Sequence, residues 1–271
     1  IAKKYSKKYD CINLAFTRQI KEVKPSMKNF IDHYYDKKLN YRVAIATYKR
    51  YHKLKSNTIR VLAKHNIPLN IIDIFVENEN ELLIYQSDEA LKDINFIVTN
   101  TKGIGEKRNY MREYYYMSDN KYVFNIDDDM EDIYDWDKPI NDLHSWIEDC
   151  FRETERSGYN LWGTSMFNNI FFMRKNITQN LKYISGACNG YIVDKTKSLL
   201  KTDFNHFEDF DFTCQHYLRD GGVCRFNGYR MRTKYFNDGG INESYGGKEE
   251  RVKDMDIAGH RFYEKYPGMS K

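Results

Sequence analysis

Three consecutive carboxylates, Asp127, Asp128 and Asp129, follow directly on the run Tyr122-Val123-Phe124-Asn125-Ile126. Neighbouring carboxylates repel one another, so a fold keeps them together only in solvent or around a cation. Side chains alternate along an extended chain, so Asp127 and Asp129 face one way and Asp128 the other. Hard divalent ions such as Mg²⁺ or Mn²⁺ take oxygen ligands, often one or two carboxylates plus substrate phosphates. A solvated acidic turn is the plain alternative, and the hydrophobic strand immediately before the triplet weighs against it. A second acidic group, Glu208, Asp209 and Asp211, is set among Phe207, Phe210 and Phe212. Aromatic neighbours desolvate a carboxyl and raise its pKa toward the working pH of a general base. The same three residues also suit the first turn of a helix, where carboxylates favour the dipole. His260, on a helix-like tail over 249–266, is a candidate last metal ligand, against the commoner structural role of a lone histidine.

The elements that must position these groups alternate regularly. Apolar runs over 42–47, 71–76, 95–99 and 122–126 read as strands, with helices over 56–65, 80–87 and 107–116 between them. Such alternation predicts an α/β fold, a parallel sheet with helices on both faces. Ligands of such sheets bind off the carboxyl ends of the strands. The polar residues Thr47, Tyr48, Lys49 and Arg50, then Asn78, then the Asp triplet would all lie at that edge. Further along, an amphipathic helix is expected over 141–156, strands over 161–167, 170–173, 183–193, 223–226 and 229–235, and a helix over 212–219. Gly186 and Gly190 inside a strand suggest a bulge or close backbone approach by a ligand. Four glycines over 238–248 suggest a mobile loop. Residues 1–40 read as an N-terminal extension whose basic face is a solvated surface or a nucleic-acid contact. Residues 41–271 read as one domain, with a donor-binding half over 41–130 and an acceptor-binding half over 131–271.

Composition excludes several classes. The 271 residues are 41% hydrophobic and 30% charged, which is globular rather than disordered. No apolar run approaches the roughly 20 residues that cross a bilayer, and no signal-peptide pattern is visible. Five widely spaced cysteines without a Cys-x-x-Cys pair argue against a disulfide framework or structural zinc, and for a reducing, cytoplasmic setting. The net charge of +4 permits a polyanionic partner without demanding one. Gly103-Ile104-Gly105 lacks the third glycine and the first-strand position of a dinucleotide fingerprint. A calcium loop counted from Asp127 fails at Asp132 and Lys138.

Taken together, the strand ending in the Asp triplet and the later Glu208-Asp209 pair resemble the GT-A glycosyltransferases, in their inverting family-two form. Ala46-Thr47-Tyr48-Lys49-Arg50 looks like the first-strand nucleotide loop. Gly103-Ile104-Gly105-Glu106-Lys107-Arg108-Asn109 is similar to the glycine-then-Arg-Asn segment before the metal strand. The likeness covers roughly 41–235, and in detail resembles the phage TET/JBP-associated branch thought to glycosylate hydroxymethylated pyrimidines in DNA. It implies Mn²⁺ or Mg²⁺ held by Asp129, with Asp127 on the ribose or a metal-bound water and His260 completing the shell. It implies a nucleotide-sugar donor, UDP-linked, held by Thr47, Tyr48, Arg50, Asn78, Asp128 and Arg108. Asp209 would be the base, with Asp211 its competitor and Glu208 on sugar hydroxyls. A polysaccharide, lipopolysaccharide or protein acceptor fits the core motifs as well as modified DNA does. Nucleotidyl transfer is a competing reaction, although the 47–51 loop lacks the glycine that chemistry usually wants. A non-catalytic DNA-binding module is a third reading.

Overall fold

Val43, Ala44 and Ile45 have no exposed surface, and all of Ile72–Val76 is buried. Such β-branched runs fit a strand covered on both faces. In the computed structural model, which describes residues 38–167, 169–233 and 248–269, these runs form the centre of a mixed sheet. Its strands are β1 (Tyr41–Ala46), β2 (Ile72–Val76), β3 (Asn95–Val98), β4 (Tyr122–Asp127), β5 (Asp132–Asp135) and β6 (Lys138–Pro139). The others are β7 (Leu161–Ser165), β8 (Ile177–Asn180), β9 (Cys188–Ile192) and β10 (Val223–Arg232). Their order is β3-β2-β1-β4-β9-β7-β10-β5-β6, with β8 also on β10. β3, β2, β1 and β4 are mutually parallel, as the alternation predicts. β9 then enters antiparallel to both β4 and β7. The register sets Ala46 beside both Phe75 and Asp127, so β1, β2 and β4 end at one edge.

The helices are α1, α2 (Glu79–Gln86), α3 (Gly103–Met117), α4 (Leu143–Arg156), α5 (Glu208–Asp220) and α6 (Lys248–Lys265). α1 runs from Tyr51–Lys53 through a π-helical stretch, Leu54–Ile59, into Arg60–Lys64. Successive residues of β4 pack on opposite faces. Val123 meets Met111 and Tyr115 of α3, together with Ala44 and Phe75. Phe124 meets Trp146 of α4 and stacks on Trp162, centroids 5.7 Å apart.

Several expected elements change. Gly103 and Gly105 belong to the first turn of α3, not to a loop. Gly103 has φ +79°, and a Cβ on Gly105 would lie 2.0 Å from the Phe204 carbonyl oxygen. These glycines serve helix entry and close packing. Residues 170–173 are a turn, Ile170–Phe172, with exposed Phe171 and Phe172, because the stretch never enters the sheet. Only Cys188–Ile192 of the expected 183–193 strand pairs. Gly190 is approached by the Trp162 ring, not by a ligand. The two late strands are one, β10, with an irregularity between Phe226 and Arg230. Of the N-terminal extension and the glycine-rich loop, all but 38–40 and 248 lie outside the described residues.

Candidate active site

A cavity of about 330 Å³ opens at the carboxyl edge of the parallel strands. β1 contributes Thr47, Tyr48 and Arg50 through its outgoing loop, β2 contributes Glu77, and β4 contributes Asp127 and Asp128. α3 adds Gly103, Lys107 and Arg108, the 183–187 segment adds Tyr183 and Gly186, and α5 adds Glu208 and Asp209. The first-strand loop, Arg108, Asp127, Asp128 and the acidic pair, all expected from the sequence, are among these residues. Glu77, Lys107 and Tyr183 were not singled out. Glu77 was legible as the end of a strand, whereas Tyr183 sits in irregular backbone with no local signal.

The acidic turn is tied down from α1. Thr58 Oγ1 donates to the Asp127 carbonyl at 2.8 Å and accepts from the Met130 amide at 3.0 Å. Asn57 Nδ2 reaches the Asp129 carbonyl at 3.4 Å. Both residues project from the π-helical stretch, a feature common near functional sites. The expected alternation does not hold, because β4 ends at Asp127 and the next two aspartates lie in the following turn, where they share Arg50. Asp128 is buried, accepting from Thr47 Oγ1 at 2.7 Å and from Arg50 at 3.1 Å. Asp129 is also buried, accepting from the same Arg50 nitrogen at 3.1 Å and from Thr233 Oγ1 at 2.7 Å. Asp127 is the open member. Its side chain is 36% exposed, with one oxygen 3.1 Å from Arg108 Nη2. Its other oxygen has no partner among the described residues.

Arg108 links the two acidic groups. It lies 3.1 Å from Asp127 and 2.9 Å from the Glu208 carboxylate, with Arg112 3.8 Å behind. Among the described residues Glu208 Oε2 is buried without a hydrogen bond. Burial, opposed by Arg108, pushes the Glu208 carboxyl up to about 7. Burial does the same to Asp128, against Arg50, raising it to about 7, and raises Asp127 as well. Lys107 is buried with its ammonium donating to the Thr47 carbonyl at 2.7 Å, and burial lowers its pKa. Among the described residues the lining thus presents five carboxylates (Glu77, Asp127, Asp128, Glu208, Asp209) and three cations (Arg50, Lys107, Arg108). An anionic diphosphate entering this lining needs a compensating cation.

The residues fit a divalent ion in a limited way. The described residues form no group of three or more His, Cys, Asp or Glu side chains able to hold a metal. Asp127 offers a free oxygen at the cavity, and one carboxylate plus substrate phosphate oxygens is a normal set for Mg²⁺. The expected ligands Asp129 and His260 are placed otherwise. Both oxygens of Asp129 are taken by Arg50 and Thr233, and His260 is exposed on α6, outside the cavity lining. Asn78 caps α2, accepting from the Glu81 amide at 3.1 Å, and does not line this cavity.

The acidic pair starts α5 just after Phe207, whose φ of +64° is an unusual conformation for a bulky residue. All three acids lie in the first turn of α5, and two of them, Glu208 and Asp209, also line the cavity. Asp211 is fully buried, accepts from Tyr266 Oη at 2.6 Å and pairs with Lys265 at 2.9 Å. It anchors α6 and is absent from the cavity lining. Asp209 faces the cavity. It is not simply desolvated by its aromatic neighbours, since its carboxylate accepts from Tyr183 Oη at 2.5 Å, Gly186 N at 3.0 Å and Phe210 N at 2.9 Å.

No protein-family model matches the chain, and no curated protein matches it. Solved structures do. S. aureus TarS is similar at 14% identity over 70% of this chain and 58% of that one, TM-score 0.48. A protein from Desulfovibrio desulfuricans, described as a nucleotide-diphospho-sugar transferase, is 9% identical over 68% and 78%, TM-score 0.44. The 4-diphosphocytidyl-2C-methyl-D-erythritol synthase of Anaerococcus prevotii is 10% identical over 82% and 100%, TM-score 0.39. These are remote likenesses of architecture. Among the described residues no helix is long and apolar enough to cross a membrane.

Proposed function

We propose that this protein is a metal-dependent, inverting glycosyltransferase that moves a sugar from a nucleotide-sugar, UDP-linked, to an acceptor hydroxyl. One observation carries the reading: the open carboxylate Asp127 and the hydrogen-bonded carboxylate Asp209 line one cavity, with Arg108 reaching across from α3. Thr47 and Tyr48 bound the nucleoside end. Arg108 and Lys107 supply positive charge to the diphosphate. Asp209 takes the proton of the acceptor hydroxyl as its oxygen bonds to the anomeric carbon. The bond from that carbon to the diphosphate oxygen breaks, and its electron pair leaves on the nucleoside diphosphate with inversion. A divalent cation, Mn²⁺ or Mg²⁺, held by Asp127 and diphosphate oxygens, would supply Lewis-acid stabilisation of the leaving group. Glu208 holds Arg108 by charge in this scheme and is not needed on sugar hydroxyls.

For the acceptor we propose 5-hydroxymethylpyrimidine in DNA, on the sequence resemblance to the phage branch. A panel of UDP- and GDP-sugars with Mn²⁺ and hydroxymethylated DNA, read by mass spectrometry, tests both levels. Added hexose mass on DNA supports the full reading. Nucleoside diphosphate released without DNA modification supports the transferase and moves the acceptor elsewhere. Pyrophosphate release with a nucleotide-linked product would mean nucleotidyl transfer.

A further inference from the structure

The 181–187 segment leaves regular structure just before β9, and in doing so brings Tyr183 to the start of α5. The Tyr183 ring stacks on Phe210, centroids 4.0 Å apart and planes 22° from parallel. That contact fixes the hydroxyl 2.5 Å from Asp209 Oδ2, the oxygen that also receives the Gly186 amide at 3.0 Å. The phenol is half-buried, and burial together with the Asp209 charge drives its pKa upward, so it stays a neutral donor. A second device fixes the same loop. The Asn125 side-chain amide, on β4, donates to the Gly186 carbonyl at 2.8 Å, so the loop presenting the Gly186 amide is bound to the strand that ends in Asp127.

We propose that Tyr183 is a positioning residue that sets the orientation of Asp209. The proposal rests on the reading of Asp209 as the proton acceptor. A donor that bonds the charged form of a carboxylate favours that form. With Tyr183 in place the Asp209 side chain is held at Oδ2 by the phenol and the Gly186 amide. The proton it takes comes from the acceptor, while Tyr183 keeps its own. The other charged groups facing Asp209 are Asp127 on β4, Arg108 on α3 and its neighbour Glu208 on α5. Arg108 favours the carboxylate, whereas Asp127 and Glu208 oppose it. The two hydrogen bonds on Oδ2 therefore act against that like charge.

Tyr183→Phe removes one oxygen and keeps the ring on Phe210. Its expected effect is a fall of roughly tenfold in kcat with the donor KM unchanged, the pattern of a lost transition-state interaction. Replacing Tyr183 by 3-fluorotyrosine, which keeps the hydroxyl, should restore the rate. A crystal structure of Tyr183→Phe should show the Asp209 carboxylate turned away from the Gly186 amide. Wild-type kcat in Tyr183→Phe, or a carboxylate that has not moved, overturns the proposal. A turned carboxylate without turnover of any donor by the wild type would uphold the Tyr183 assignment and remove the transferase reading.

Discussion

Replacing Glu208 by Gln should make the fold more stable at pH 8, and roughly a quarter as much so at pH 5. Glu208 is buried, its Oε2 has no hydrogen bond among the described residues, and its charge is met imperfectly by Arg108 at 2.9 Å and Arg112 at 3.8 Å. Burial outweighs these partners and raises its pKa from 4.5 to about 7. A carboxyl raised on folding contributes its stability in full below the unfolded value and loses it as pH climbs through the folded one. The window is therefore pH 4.5 to about 7. At about 1.4 kcal/mol per pH unit, the penalty above that window is on the order of 3 kcal/mol. Gln keeps the shape and removes the charge, so the variant escapes the penalty. For a domain of this size that is roughly 6–12 °C in Tm. Differential scanning calorimetry of both proteins at pH 5 and 8, in EDTA, reads the difference of differences. The Asp128 titration is common to both proteins and cancels. A stability gain that does not grow with pH, or a variant less stable at pH 8, would refute the reasoning. Transfer should fall in the same variant, because Arg108 loses its charged partner. Stability would then be traded for function at one side chain.

Three further outcomes follow from the same structure. Asp209→Asn should cut turnover by roughly 10²-fold or more, while Asp211→Asn, on the α6 anchor, should lower Tm and leave turnover within a few-fold. Paired steady-state rates and melts separate the two. Gly105→Ala should destabilise by about 3 kcal/mol, an overpacking cost, since its Cβ would sit 2.0 Å from the Phe204 carbonyl oxygen; urea unfolding measures it. His260→Ala should leave Mn²⁺ affinity by calorimetry and turnover unchanged, because its side chain is exposed outside the cavity.

The parallel half of the sheet was legible because β1, β2 and β4 are covered on both faces and therefore carry unbroken apolar runs. β8 is Ile177-Thr178-Gln179-Asn180, mostly exposed, and hides in a polar stretch. The reverse error occurred at Ile170, Phe171 and Phe172, where an apolar run is a surface turn and not a strand. Periodicity reports burial, and here the burial was absent. Glycine misled at 103 and 105 because it marks loops and close helix approach alike. The Asp triplet was recognisable as a group, but not the division of labour within it. Thr233, which occupies Asp129, and Arg50, which bridges Asp128 and Asp129, act across long sequence separations. Likewise Asp209 and Asp211 sit in one helical turn, and only the position of α6 shows which is the anchor.

The central claim is a single displacement at the anomeric carbon with Asp209 as base. Proton NMR of the product formed from an α-linked UDP-sugar tests it most directly, with Asp209→Asn run beside the wild type. A β-linked product, lost in the variant, is the predicted result. An α-linked product, or a β-linked product formed equally well without the Asp209 carboxylate, would contradict it.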